Sequence, residues 1–315
     1  MKLAVLGAGA VGRSVVELAG EYGHEVVALA DSSSGVVEAG GLDADAVFER
    51  KDADGVVGEK DVAAVLDADY DCLVEATPTT LDDAQPGFGH AEAALARDRD
   101  VVLANKGPVA ERYDDLQALV DESAGDLRFE ATVAGAIPAI ATIDGVGAGR
   151  VTAARGVLNG TANFILTRMA AEGLDYEHVL AEAQDLGVAE ADPAFDVEGI
   201  DAALKCAIVA NVLHGGGYTL DDVDVRGITD IPGSALELAA EDGRTVRLVG
   251  EVDEAGNARV APRLLPENDT LAVTGTQNIV QLETTNAGRL NLSGRGAGGP
   301  ETATAVLADV DRLAD

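Results

Sequence analysis

The chain has 315 residues, 47% of them apolar, with 56 acidic against 22 basic side chains and a formal charge of −34. That length and apolar content are enough for two domains with cores of their own. The charge argues against a nucleic-acid footprint, which has to be basic, and disfavours anionic membrane surfaces. No apolar run of about eighteen residues occurs, so no membrane span is predicted, and the opening MKLAVLG lacks the anatomy of a signal peptide. A soluble, cytoplasmic protein is expected.

The first predicted elements are a strand, a glycine turn and a helix, in LAVLGAGAVGRSVVELA (3–19). The turn is G-x-G-x-x-G on Gly7, Gly9 and Gly12, with Ala10 and Val11 between them. In that context the first glycine permits a tight turn, the second lets a pyrophosphate approach the backbone, and the third allows close packing of helix on strand. The phosphates are expected at the helix N-terminus, where free N–H groups and the dipole favour anions.

A second strand, HEVVALA (24–30), ends at Asp31, nineteen residues past Gly12, where a ribose-binding carboxylate belongs. Asp31 favours NAD by repelling a 2′-phosphate. Ser32, Ser33 and Ser34 follow at once, however, and Arg50 and Lys51 could fold over the same place, so the choice between NAD and NADP stays open. A turn or capping role for Asp31 is the plainer alternative.

Further strands are predicted in DCLVEAT (71–77), VVLANK (101–106) and LRFEATV (127–133). Their near-continuous apolar character fits a parallel sheet covered on both faces. Ligands of such sheets bind at the carboxyl ends of the strands, which makes Thr77, Asn105 and Lys106 candidate cofactor contacts.

After ATVAGAIPAI the rhythm changes. A strand over 151–160 leads into the helix TANFILTRMAAEG, and a further amphipathic helix, YEHVLAEAQDLG, precedes AEADPAFDVEGIDAALK (189–205). Strands follow at 245–252, 257–265 and 271–284, and the tail from 289 reads as strand, glycine turn and helix. That tail is expected to return to the nucleotide domain, bringing Gly296 and Gly298 near the cofactor.

The expected fold class is α/β. An N-terminal Rossmann-type dinucleotide-binding domain, 1–135 with 288–315 returning to it, is followed by an α+β substrate-binding and dimerisation domain over 136–287. Cys72 and Cys206 sit far apart in apolar runs and are expected as buried free thiols. The histidines form no metal-binding pairing. HGGG (214–217) lacks the G-x-S-x-G elbow that an esterase requires.

GAGAVG (7–12), ANK (104–106), EATVAGAIP (130–138), GVLNGTANFIL (156–166) and AEADPAFDVEGIDAALK (189–205) together resemble homoserine dehydrogenase, in order and in spacing. The NGT turn and the last segment are the most specific. The resemblance implies NAD(P)-dependent interconversion of L-homoserine and L-aspartate 4-semialdehyde, within amino-acid biosynthesis, by a homodimer formed through the second domain. It implies Lys205 and Asp201 as catalytic, Lys106 between cofactor and substrate, and Glu190, Asp196, Gly160 and Thr161 around the substrate. It also implies a monovalent cation, sodium or potassium, at Glu130, Val133, Gly135 and Ile137. Many members carry a regulatory domain or a fused kinase, and neither is expected here.

The chemistry asks for the same groups. A substrate amine needs carboxylates, and a hydroxyl losing hydride needs a proton acceptor, which a lysine becomes if burial or a neighbouring cation lowers its pKa. On one helix Asp201 and Lys205 stand at i and i+4, expected at the border of a buried stripe of Ile200, Leu204, Ala207, Ile208 and Asn211. Glu198 is expected at the surface. An aspartate dehydrogenase, or a redox sensor that binds cofactor without turnover, is the alternative reading.

Lysine occurs only at positions 2, 51, 60, 106 and 205. So many carboxylates with so few lysines suit molar salt, which screens their self-repulsion. The secondary structure, followed by circular dichroism, is therefore expected to collapse on dialysis into dilute buffer. Full activity there would count against this reading.

Overall fold

Short aliphatic runs form most strands of two six-stranded sheets, one in each of two units, in a computed structural model that describes residues 1–314. Met1–Ala136 with Ala297–Asp315 form the first compact unit and Ile137–Gly296 the second.

The first unit runs β1 (Lys2–Leu6), α1 (Ala10–Leu18), β2 (Glu25–Ala30), β3 (Gly35–Val37), α2 (Ala44–Asp54), β4 (Cys72–Glu75), α3 (Gly87–Leu95), β5 (Asp100–Leu103) and β6 (Leu127–Arg128), with shorter helices between them. The strand order is β3-β2-β1-β4-β5-β6, parallel throughout except for the edge strand β3. After β2 the chain crosses back to the other side of β1. The crevice beyond the ends of β1 and β4 is thus the topological switch point, where doubly wound sheets bind ligands. The C-terminal helix Gly299–Ala314 closes the unit, and Ala303, Val306, Leu307 and Val310 share a core with Leu3 and Val15.

The second unit contains β7 (Val151–Val157), α4 (Gly160–Glu172), α5 (Tyr176–Asp185), α6 (Ile200–His214), β8 (Val223–Val225), β9 (Arg244–Asp253), β10 (Ala258–Pro266), β11 (Gln277–Thr284) and β12 (Arg289–Arg295). Its order is β12-β11-β7-β9-β10-β8, antiparallel apart from the β8–β10 pair. Both cysteines are buried free thiols, and burial pushes Cys206 up to about 12. Among the described residues no helix is long and apolar enough to cross a membrane.

The structure departs from the sequence expectations in four places. The strand expected over 127–133 ends at Arg128, and Ala131–Ala134 is helical. Both the N–H and the hydroxyl of Thr132 donate to the Phe129 carbonyl, while the Glu130 N–H donates to Asp309 on the distant C-terminal helix. Those bonds consume the groups a longer strand would need. The strand expected over 271–284 begins only at Gln277, because Asn163 Nδ2 donates to the carbonyls of Val273, Gly275 and Gln277 and holds the preceding segment as a loop. The tail does not leave the second unit at 288: β12 pairs with β11 over Arg289–Arg295, so the return follows Gly296. Finally, β3 is an antiparallel edge strand that the serine-rich run did not announce.

A Cβ on Gly12 would lie 1.7 Å from the Gly7 carbonyl oxygen, a backbone atom that cannot swing aside. Gly12→Ala is therefore expected to destabilise the fold by about 1–3 kcal/mol or more, read as a lower denaturation midpoint in molar KCl. An unchanged midpoint would mean that the turn relaxes freely.

Candidate active site

In the first unit the three glycines of the turn differ in what stands where a side chain would go. Gly7 has φ 105°, and a Cβ there would meet the Ala76 carbonyl at 2.3 Å, so the turn after β1 lies directly against the turn after β4. Gly9 caps α1 without a side chain and faces open space, leaving the helix N-terminus approachable. Gly12 lets α1 close onto Gly7. Ala10 is exposed and Val11 partly so, beside this opening. On the far side of α1, a Cβ on Gly299 would lie 2.8 Å from the Ala10 carbonyl oxygen. Gly298 belongs to this unit, whereas Gly296, packed against Asn278, belongs to the other.

Asp31 ends up fully engaged. Its Oδ1 accepts the N–H and hydroxyl of both Ser33 and Ser34, at 2.8–3.1 Å, and Oδ2 accepts Lys51 Nζ at 2.7 Å. Burial would push the carboxyl up, but Lys51 and the serine hydrogen bonds outweigh it and hold Asp31 well below the usual carboxylate range. The turn role and the position for ribose binding coincide in one residue. Lys51 arrives on α2, which is docked by a bidentate Arg13–Asp52 pair and by Arg13 over the Phe48 ring.

Thr77 and Asn105, expected as cofactor contacts, turn their side chains inward. The Thr77 hydroxyl donates to Glu75, and Asn105 Nδ2 donates to Thr77 Oγ1 at 3.2 Å and to the Pro78 carbonyl at 3.3 Å. Asn105 Oδ1 accepts the Gly107 N–H as the helix cap. The side chains of Thr77 and Asn105 are thus spent within the turns. Lys106 is half-buried at the first turn of that short helix. Glu130 is buried, with its carboxylate 3.9 Å from the Arg312 guanidinium, so it already faces a positive charge. Val133 is buried, Gly135 has φ 55°, and Ile137 begins the second unit.

In the second unit Asp201 and Lys205 do not sit at the edge of a stripe. Every residue of α6 from Asp201 to Asn211 is buried, and Lys205 is only 6% exposed. A buried ammonium must be compensated. Lys205 Nζ donates to Asp201 Oδ2 at 2.7 Å and to the Leu158 carbonyl at 2.6 Å, at the end of β7. Asn159 completes the cluster: its Nδ2 donates to Asp201 Oδ2 at 2.9 Å and to Asp196 Oδ1 at 2.6 Å, while its Oδ1 caps α4. A lysine ammonium carries three donors, and two are used, so one N–H is left without a partner among the described residues.

Sequence reasoning missed Asn159. It named the NGT turn but gave roles only to Gly160 and Thr161, although an asparagine just before a helix is a capping signal. It also missed Glu75, although an acid inside an apolar strand is itself a signal. Gly160 has no room for a side chain beside the Thr276 carbonyl, at 2.9 Å from a Cβ. Thr161 donates its hydroxyl to the Val188 carbonyl and so holds the loop leading to Glu190. Glu190 is exposed and lies outside the hydrogen-bonded cluster, and Glu198 is exposed as expected.

Known proteins match both units of the chain. The family model described as homoserine dehydrogenase matches residues 138–310. A model described as glutamate/leucine/phenylalanine/valine dehydrogenase matches 1–181, the part that holds the dinucleotide sheet. Homoserine dehydrogenase of Methanocaldococcus jannaschii is 37% identical over 98% of this chain and 97% of its own length. An NAD(+)-dependent homoserine dehydrogenase of Pseudomonas canavaninivorans is 35% identical over 98% and 95%. A crystal structure from Archaeoglobus fulgidus, provisionally named a homoserine dehydrogenase, superimposes with TM-score 0.91 at 38% identity over 99% of both chains. A hyperthermophilic archaeal homoserine dehydrogenase in complex with NADPH gives 0.86 at 28% identity, over 99% and 97%. Since these full-length matches take in the Lys205 helix as well as the glycine turn, the chain belongs to the homoserine dehydrogenase family.

Proposed function

We propose that this protein interconverts L-homoserine and L-aspartate 4-semialdehyde with NAD or NADP, and that Lys205 carries the proton. The observation behind this role is the buried Lys205 ammonium, tied down by Asp201 and the Leu158 carbonyl with one N–H to spare. Toward the alcohol, that N–H gives its proton to the carbonyl oxygen of the semialdehyde. Toward the aldehyde, the deprotonated amine takes the proton of the homoserine hydroxyl. Asp201 fixes the direction of Nζ, and Asn159 fixes Asp201. Asp196 keeps Oδ2 for the substrate ammonium, which Glu190 reaches from its exposed loop. The open helix end behind Gly9 fits a pyrophosphate. The nicotinamide, when bound, gives or takes the hydride.

Purified protein in molar KCl is expected to reduce nicotinamide only when L-homoserine is present. Lys205→Met should lower kcat at least a hundredfold while cofactor affinity is kept. A variant as fast as wild type would remove Lys205 from the chemistry. Wild-type protein that binds cofactor without turnover would favour the sensor, and turnover with aspartate alone would favour an aspartate dehydrogenase.

The choice of cofactor follows from the Asp31–Lys51 pair. With Lys51 on Oδ2, the carboxylate is neutralised and a 2′-phosphate is tolerated. Lys51→Ala removes the countercharge of Asp31, so the ratio of kcat/KM for NADP over NAD is expected to fall at least tenfold, about 1.4 kcal/mol. An unchanged ratio would show that Lys51 does not take part in the choice.

A further inference from the structure

Glu75 is completely buried at the end of β4, beside the switch point of the first sheet, and no step of the proposed chemistry uses it. Its Oε1 accepts both the N–H (3.2 Å) and the hydroxyl of Thr77, and His90 Nδ1 of α3 approaches the same oxygen at 3.5 Å. Its Oε2 is buried without a hydrogen-bond partner among the described residues. The start of α3 presses on the pair: a Cβ on Gly87 would lie 2.5 Å from Asn105 Nδ2 and 3.1 Å from Glu75 Oε2. A carboxylate kept in such a place is unfavourable by itself. An apolar residue would fill the space without that cost, so packing alone does not account for it.

What a carboxylate supplies, and an apolar group cannot, is direction. It only accepts, so the Thr77 hydroxyl must point inward. Thr77 Oγ1 is then left to accept from Asn105 Nδ2, whose other hydrogen goes to the Pro78 carbonyl. The orientation of the Asn105 amide is set in turn, with Oδ1 on the Gly107 N–H. The Glu75 carbonyl also accepts the Ala104 N–H, at 2.8 Å, which ties the ends of β4 and β5 together. The turn after β4 also abuts Gly7 through Ala76.

We propose that Glu75, braced by His90, is a positioning residue. Through Thr77 and Asn105 it holds the turns after β4 and β5 in one register, so that their main-chain groups receive the carboxamide-bearing ring of the nicotinamide cofactor. This rests on the function proposed above. It differs from a general role in stability because only the nicotinamide end of the ligand should feel it. The adenosine and pyrophosphate end is served by Asp31 and by the glycine turn.

The test is calorimetric titration in molar KCl with two ligands: the reduced cofactor that the wild type uses, and adenosine diphosphate ribose (or its 2′-phosphate), which lacks the nicotinamide. Glu75→Ala is expected to weaken the reduced cofactor at least tenfold and the ribose compound less than twofold. Glu75→Gln, which keeps an accepting oxygen for Thr77, should return the affinity to within threefold of wild type. Thr77→Val should match the loss in Glu75→Ala, and the double variant should be no worse than either. Equal losses for both ligands, no loss for either, or additive losses in the double variant would each overturn the proposal. Should Glu75→Ala fail to fold, Thr77→Val decides alone, because it exchanges a hydroxyl for a methyl. A wild type that binds the cofactor but never oxidises homoserine would fail the proposed function, while the Glu75 comparison would still be read from binding.

Discussion

An ammonium group inside a helix that is buried on every side is the constraint around which the second unit is built. Lys205 could not stay there unpaired. Losing one partner of a buried pair costs about 3–5 kcal/mol, against about 0.3–0.5 kcal/mol for an exposed i,i+4 pair. Asp201 supplies the countercharge one turn back, and the end of β7 supplies the Leu158 carbonyl. Asn159, the next residue, both caps α4 and reaches Asp201 and Asp196. One short segment, Leu158–Gly160, thus joins the sheet, two long helices and the short helical turn of Asp196. Satisfying one charge determines where several elements must meet.

The first unit answers a different constraint, close approach of backbone to backbone. Gly7 and Gly12 are glycines because carbonyl groups occupy the places of their side chains, whereas Gly9 faces space that a ligand can enter. The polar groups around this opening are tied largely to one another, Glu75 Oε2 apart. Asp31 is saturated by two serines and Lys51, and Thr77 and Asn105 are turned toward Glu75. Such closed networks are rigid, and rigidity suits a ligand bound largely through main chain and helix terminus.

The acidic composition and the acidic site are separate matters. Among the described residues the buried acids are Glu75, Glu130, Asp201 and Asp309, each tied into hydrogen bonds or ion pairs. Burial pushes Asp309 up, although the Glu130 N–H and Arg312 draw it down. Composition identifies a surface, and it cannot say which few carboxylates leave it.

Much was legible in the chain itself. The glycine turn, the alternation of apolar strands with helices, and the i,i+4 spacing of Asp201 and Lys205 depend on local geometry, which neighbouring residues largely determine. Other features were settled only by residues far away in sequence. The Glu130 N–H is taken by Asp309, 179 positions on, which ends a strand early. Asn163 gathers three carbonyls about 110 residues away and keeps residues 271–276 out of the sheet. Asp31 met Lys51, Glu75 met His90, and Lys205 was buried whole rather than at an edge. Local sequence specifies conformations, but whether a polar group faces water or a partner depends on what the rest of the chain brings against it.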